Sequence, residues 1–435
     1  MSLQNKLKEA FKVTTKNVTV EDYKKEAFKA FSQKGFPTTK DEEWKYTSLR
    51  SILKKDYGIE AAKTSSIAPE KIAPYLVDGV DSYKMVFIDG VFHPLLSDAI
   101  DEISMKLLSH AVEDASYENI FKTKYNSLAK GQSSLTDLNT AFTNEGVIIE
   151  VAKSKIVSKP IELVYFASGE TTAMLLQPRN LIMVGENAQV KFIERHQSLS
   201  NLATFTNAVT EVFVAQNGIF DLYKVQNDKE DASLVDATFV SQERDTIASV
   251  YTFSFGGNIT RNNLSFYQNG SGCDSILNGV TILKENQLVD NHTLVAHQSP
   301  DCQSNETYKG VYGGNATGVF NGKVIVDQVA QRINAYQQND SLLISDKATI
   351  NSKPQLEIFA DDVKCSHGCT IGQLDKSALF YMQQRGIPKS EAEALLTFAF
   401  CSDAVKDIKI PGLKRKINQL MADKLEVNIQ FDELS

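Results

Sequence analysis

Two periodicities divide the chain. Over residues 20–31 apolar and charged side chains recur at three- and four-residue spacing, which predicts an amphipathic helix that ends at Gly35 and Pro37. Thr38 with Asp41 and Thr39 with Glu42 fit capping arrangements, so a second helix is expected over residues 38–49. Trp44, the single tryptophan, should pack there against the adjacent helix. Residues 85–92 read as two short strands around Asp89-Gly90, a strong hairpin signal. A mixed, mostly helical stretch that includes residues 103–112 then runs to about residue 135.

Beyond Gly146 the pattern becomes a long series of short apolar segments, among them 147–151, 163–166, 181–184, 190–193, 211–214, 220–223, 249–253 and 264–267. Turn residues recur between them at Asn187, Asn217, Asp245, Ser271 and Asp301, then at Asn315 and Asp346. The first four spacings are 30, 28, 26 and 30 residues and the last is 31. A loose repeat of that length with no helical pattern inside it predicts a solenoid of strands. Asn-Gly pairs at 217–218, 269–270 and 321–322 keep a hairpin-built sandwich as the competing architecture. The pattern favours the solenoid, because so long a run of strands exceeds one sandwich.

Helical signals return at the end. Asp375 can cap a helix over 376–385 that stops at Gly386 and Pro388. Ser390 with Glu393 forms a capping-box pattern opening a second helix to about Asp407. Its apolar residues, including Leu395, Leu396, Phe398 and Phe400, wrap more than one face, so that helix needs cover on two sides. A third helix after Pro411-Gly412 places Leu413, Ile417, Leu420, Met421 and Leu425 on one stripe. The division is therefore a mostly helical region at 1–135, a β core at 136–368 and a helical module at 369–435.

The 435 residues, 42% hydrophobic and 23% charged, fit a globular protein of two or three units. A net charge of −8 argues against nucleic acid or an anionic membrane as main partner, because phosphate binding needs a cationic field. The first ten residues have no apolar core of a signal peptide, and runs such as 394–400 are too short to span a bilayer, so a cytoplasmic location is expected. Five cysteines, odd in number and unevenly spaced, do not make a disulfide framework.

Few motifs carry chemistry. Gly318-Val-Phe-Asn-Gly-Lys-Val324 lacks both the glycine spacing and the Ser/Thr of a phosphate loop, so it reads as a turn between strands. His292 and His297 are five residues apart and fall on opposite faces of a strand. The densest constellation is Asp361-Asp-Val-Lys-Cys-Ser-His-Gly-Cys369. In an extended strand Cys365, His367 and Cys369 face one side, a donor set suited to iron or zinc, although no second Cys/His pair completes a closed site. The alternative is a buried thiol and a hydrogen-bonded histidine. Glycan cleavage along a solenoid groove stays open as another class, and it expects acidic residues on one face.

Phe320-Asn-Gly-Lys323, Asn339-Asp-Ser-Leu-Leu343, Lys353-Pro-Gln-Leu-Glu-Ile358 and Asp361-Asp-Val-Lys-Cys-Ser-His-Gly368 follow one another in order. With Gly35-Phe-Pro-Thr38, Glu43-Trp-Lys-Tyr-Thr47 and residues 180–187 they resemble the SufB/SufD family of iron–sulfur cluster assembly proteins over nearly the whole chain. The likeness is to the SufD type, since no cysteine precedes Cys273 whereas SufB-type chains often carry an N-terminal pair. It implies a right-handed parallel β-helix between helical ends and a non-enzymatic scaffold of the SUF machine. The implied partners are a SufB-like paralogue and a SufC-like ABC ATPase, with a homodimer open for the isolated chain. It places His367 and Cys365 near the interface where a nascent cluster forms, so iron or a cluster would be transient and not tightly held by this chain alone. It also implies SufC docking on the C-terminal helices, for which Leu395, Leu396, Phe398 and Phe400 are the candidates. Cys369 departs from the family, which usually has a small residue there, and reads as a buried small hydrophobe or an extra ligand.

Overall fold

The computed structural model describes residues 2–12, 17–59, 67–76, 79–143, 145–169 and 172–427. A parallel β-solenoid occupies the middle, its chain alternating between two facing sheets. In one sheet Thr204–Val214 pairs in parallel with Ala232–Gln242, followed in turn by Ile259–Gln268, Leu288–His297, Thr317–Val326 and Thr349–Ile358. In the other, Ile219–Gln226 leads through Ile247–Ser254, Asp274–Leu283, Gln303–Tyr312 and Ile333–Leu343 to Val363–Gly372. Stacked partners lie roughly one sequence repeat apart, from Ser233 opposite Ile259 to Thr317 opposite Thr349. Parallel ladders of this kind need a full circuit between neighbours, which a sandwich of hairpins does not provide.

Four of the seven repeating turn residues, Asn187, Asn217, Asp245 and Asp301, have a backbone cause, whereas Ser271, Asn315 and Asp346 do not take a left-handed φ. Asn187, Asn217, Asp245, Asp301 and Arg332 all have φ between 56° and 62°, and Gly272 has φ 73°. Each sits at the same corner of successive coils, where the chain must pass through the left-handed region that Asn, Asp and Gly tolerate. Asn217 Nδ2 also donates to Asn187 Oδ1 at 2.9 Å, linking one corner to the next. The Asn-Gly pair at 321–322, by contrast, lies inside the strand Thr317–Val326. The Asp89-Gly90 pair does form a hairpin, joining Tyr83–Ile88 antiparallel to Val91–Phe92.

Burial changes along the stack. Every residue of Ala232–Gln242 is buried, because its inner face meets the core and its outer face lies under the N-terminal region. Gln303–Tyr312 begins to alternate buried and open positions, and Ile333–Leu343 continues that alternation. Thr349–Ile358 and Val363–Gly372 bury no residue fully. The opposite end is closed by antiparallel elements, the hairpin strand Val91–Phe92 and Ser104–Leu107.

The C-terminal helices Lys376–Gln384, Lys389–Ser402 and Pro411–Leu425 follow the last strand. Leu413, Ile417, Met421 and Leu425 bury the stripe read from the sequence against Tyr223, Val225, Tyr251 and Phe253 of the second sheet. Lys409 Nζ pairs at 2.7 Å with the fully buried Asp221, fastening the segment before that helix to the sheet.

Three local expectations need correction. Residues 103–112 are not one helix: Ser104–Leu107 is a strand, with Met105 and Leu107 packed on the solenoid core, and only Leu108–Ala111 is helical. Over 38–49 there is a single 3-10 turn, Glu42–Trp44, although Asp41 accepts hydrogen bonds from the Thr38 backbone at 2.7 Å and hydroxyl at 3.2 Å. Trp44 does pack near the first helices, but its ring also stacks under Arg261 of the solenoid at 4.0 Å. The Ser390 capping box does not form, since the helix starts at Lys389 with Pro388 as its cap.

Candidate functional site

The two terminal strands at the open end each have a ladder on one side, Thr349–Ile358 to Thr317–Val326 and Val363–Gly372 to Ile333–Leu343. The inward positions of Val363–Gly372 are Cys365, His367 and Cys369, in register with Ala335, Gln337 and Asn339 of the coil beneath. Those three are buried, whereas His367 and Cys369 are exposed and Cys365 is half-buried. Side chains at these positions point between the two sheets as in earlier coils, but no described strand stacks over them here.

The floor beneath them is polar. Gln337 Nε2 donates to Glu306 Oε2 at 2.6 Å, one coil further in. Burial pushes the Glu306 carboxyl up to about 7, against the smaller pull of Thr293 and Gln337. Ser352 Oγ donates to Asn339 Oδ1 at 2.9 Å, and Cys369 Sγ lies 3.2 Å from Ser352 Oγ, bridging the two sheets. Cys365 packs on a small cluster with Ala335, Val324 and Ala360, and that burial raises its thiol pKa.

Among the described residues no group of three or more His, Cys, Asp or Glu side chains is placed to hold a metal ion. The reason is strand geometry. Alternate residues on one strand stand about 6.5–7 Å apart, too far for three of them to reach one ion. Cys365 and His367 are brought to one face without forming a closed site, so they can contribute only part of a ligand set.

The other histidines fall as their spacing requires. His292 points outward, 2.9 Å from Asp290 and 3.1 Å from Glu43. His297 points inward to Ser304 Oγ at 3.0 Å, and burial pushes it down to about 4. The Glu43–Thr47 segment is a clamp: Arg261 Nη1 donates to the Glu43 carbonyl at 2.6 Å and to Asp290 at 2.7 Å, and Thr47 also bonds Asp290. The glycines of 318–324 lie in a strand, where a Cβ on Gly322 would come within 2.3 Å of Gln337 Nε2.

Leu395, Leu396, Phe398 and Phe400 are all half-buried on Lys389–Ser402. Phe398 and Phe400 pack beside the second-sheet cluster, with Lys309 Nζ 4.8 Å above the Phe400 ring. On the preceding helix two adjacent aromatics are exposed, Phe380 at 63% and Tyr381 at 60%. The sequence pattern passed over them, although the helix Lys376–Gln384 buries no residue at all.

A polar groove of about 770 Å³ runs along the outer face of the second sheet, lined among others by Asn278, Asn305, Tyr336, Asp340 and Asp403. Asp403 pairs with Lys309 at 3.6 Å and Lys406 at 3.5 Å, and Asp340 accepts from Gln338 at 2.6 Å. No described helix is long and apolar enough to cross a membrane.

Two family models match the chain: the SUF system FeS cluster assembly SufBD core domain over residues 165–400, and the SufBD protein N-terminal region over residues 3–163. An iron–sulfur cluster assembly SufBD family protein of Synechocystis is 31% identical over 401 residues, covering 89% of this chain and 87% of that protein. The iron–sulfur cluster assembly protein SufD of Escherichia coli is 29% identical over 397 residues, 90% of each chain. SufD of Bacillus subtilis is 27% identical over 297 residues, 67% of each.

Proposed function

Because the chain belongs to the SufBD family of the SUF iron–sulfur cluster assembly system, we propose that it is a non-catalytic scaffold subunit whose open solenoid end joins a SufB-type paralogue and shares a nascent cluster with it. The observation that carries this reading is the placement of Cys365 and His367 on the inward face of the last coil, where among the described residues no further coil covers them. A thiol and an imidazole there can supply part of a coordination shell that a partner's ligands complete. Iron and sulfide are the cargo in this scheme, held between subunits for the time of assembly. The bare edges of Thr349–Ile358 and Val363–Gly372 offer unpaired backbone groups suited to strand addition by another β core.

A SufC-type ATPase is assigned to the C-terminal helices. Leu395 and Leu396 with Phe380 and Tyr381 make the apolar surface for it, since Phe398 and Phe400 are turned toward the chain's own cluster. Glycan cleavage is the weaker reading, since two of the four aspartates that line the outer groove, Asp403 and Asp340, are engaged by neighbouring side chains and only Asp274 and Asp407 are left to act as acids.

The test is to co-purify the chain with SufB-type and SufC-type partners and count iron and sulfide per complex. His367→Ala and Cys365→Ala should each lower the cluster content several-fold while subunit stoichiometry stays unchanged. Wild-type loading by both variants would overturn the shared-cluster reading.

A further inference from the structure

Away from the open end, the solenoid stacks two cysteines directly over one another. Cys273 immediately precedes the strand Asp274–Leu283 and Cys302 immediately precedes Gln303–Tyr312. Asp274 and Gln303 are ladder partners, and the Gln303 backbone donates to the Cys273 carbonyl at 2.8 Å, so the two cysteines hold the same position in adjacent coils. Neighbouring strands lie about 4.8 Å apart, within the Cα separation that a disulfide spans. Both are free thiols, 1% and 0% exposed.

Their sulfurs also converge. Cys273 Sγ is 3.0 Å from the Gly270 carbonyl oxygen and Cys302 Sγ is 3.4 Å from that same oxygen. Cys273 Sγ is also 3.0 Å from the Glu243 carbonyl oxygen and Cys302 Sγ 3.4 Å from that of Pro300, so both thiols sit among the backbone oxygens of one corner. The remaining cysteines have no such relation: Cys365 and Cys369 are four apart on one strand, about 13 Å at full extension, and Cys401 lies in a different cluster.

We infer that Cys273 and Cys302 form a dithiol modification site that hydroperoxides convert to an intramolecular disulfide. Cys273 is the attacking sulfur, because the neighbouring Cys302 thiol and the Thr246 hydroxyl, whose Oγ1 lies 3.5 Å from Cys273 Sγ, hold its pKa below the usual thiol value, while the neighbouring Cys273 and burial raise that of Cys302. The Cys273 thiolate attacks one peroxide oxygen, the O–O bond breaks, and water leaves once the departing oxygen takes a proton. The Cys302 sulfur then displaces the sulfenic oxygen as a second water and the S–S bond forms. Two thiols and one hydrogen peroxide thus give one disulfide and two waters. The pair lies one layer under the surface turns 269–272 and 298–301, through which only a small oxidant need pass. A bond there would tie two coils together at a corner otherwise held by backbone hydrogen bonds.

The experiment uses the full chain carrying Cys365→Ser and Cys369→Ser, which leaves three thiols of the original five. Limited hydrogen peroxide should take the count under denaturing conditions from three to one, dithiothreitol should restore it, and peptide mapping should find residues 273 and 302 joined. With Cys302→Ala added, Cys273 should stop at a sulfenic acid that dimedone traps. The same peptide mapping on the otherwise wild-type chain decides the matter if the variants fold poorly. Recovery of Cys273 and Cys302 as free thiols after Cys401 has begun to oxidise, or a bond from either to another chain, would overturn the inference.

Discussion

Glu306 shows how one residue makes the lumen pH-dependent. Its folded pKa of about 7 lies above that of an exposed glutamate, so the folded state prefers the protonated form. The resulting stability is fully present below about pH 4.5 and declines as pH rises toward 7, for a total on the order of 3 kcal/mol. Glu306→Gln keeps the shape and still accepts from Gln337, so the variant's stability relative to wild type should rise between pH 5 and pH 8 in urea titrations. A constant difference across that range would contradict the assignment. His297 works with the opposite sign: held neutral by burial, it costs stability as pH falls from about 6.5 toward 4. Gly322 is set by space alone, because a Cβ there meets Gln337 Nε2 at 2.3 Å and Phe320 Cζ at 2.8 Å. Gly322→Val should therefore lose about 1–3 kcal/mol of unfolding free energy by overpacking.

At the scale of elements, the C-terminal helices divide their labour. Pro411–Leu425 is part of the core, and Ile417→Ala should cost about 2–5 kcal/mol in chemical denaturation, as for other large-to-small changes in packed clusters. The helix Lys376–Gln384 buries nothing, so Phe380→Asp with Tyr381→Asp should leave thermal stability unchanged and abolish capture of a SufC-type ATPase; undiminished capture would move the docking surface elsewhere. Removing everything after residue 390 is a poor substitute, because it would strip Leu413, Ile417 and Met421 from the second sheet. What the sequence made legible at this scale follows the strength of local signals. The coil period was readable because left-handed corners demand Asn, Asp or Gly at Asn187, Asn217, Asp245 and Asp301. The Thr38–Asp41 contact formed, yet the helix it should have opened gave way to the stacking of Trp44 under Arg261. Residues 104–107 carried too short an apolar run for periodicity to separate strand from helix. Exposure of Phe380 and Tyr381 was not legible, since it depends on what fails to pack over them.

Among the described residues the solenoid is a stack closed at one end by antiparallel strands and bare of further strands at the other. Period-two alternation was enough to put Cys365, His367 and Cys369 on one face, but not to show that this face lies on the last coil, because coil number is a property of the complete chain. That position gives a thiol and an imidazole both an inward direction and an outside environment. It also leaves two edge strands whose backbone groups await a partner, which is the central claim about how this chain works. Hydrogen–deuterium exchange on the chain alone and in complex with a SufB-type paralogue tests it most directly. Amides of residues 349–358 and 363–372 should become strongly protected in the complex, while those of 204–242 stay as they were. A stable complex in which both edge strands exchange as fast as in the free chain would contradict the account.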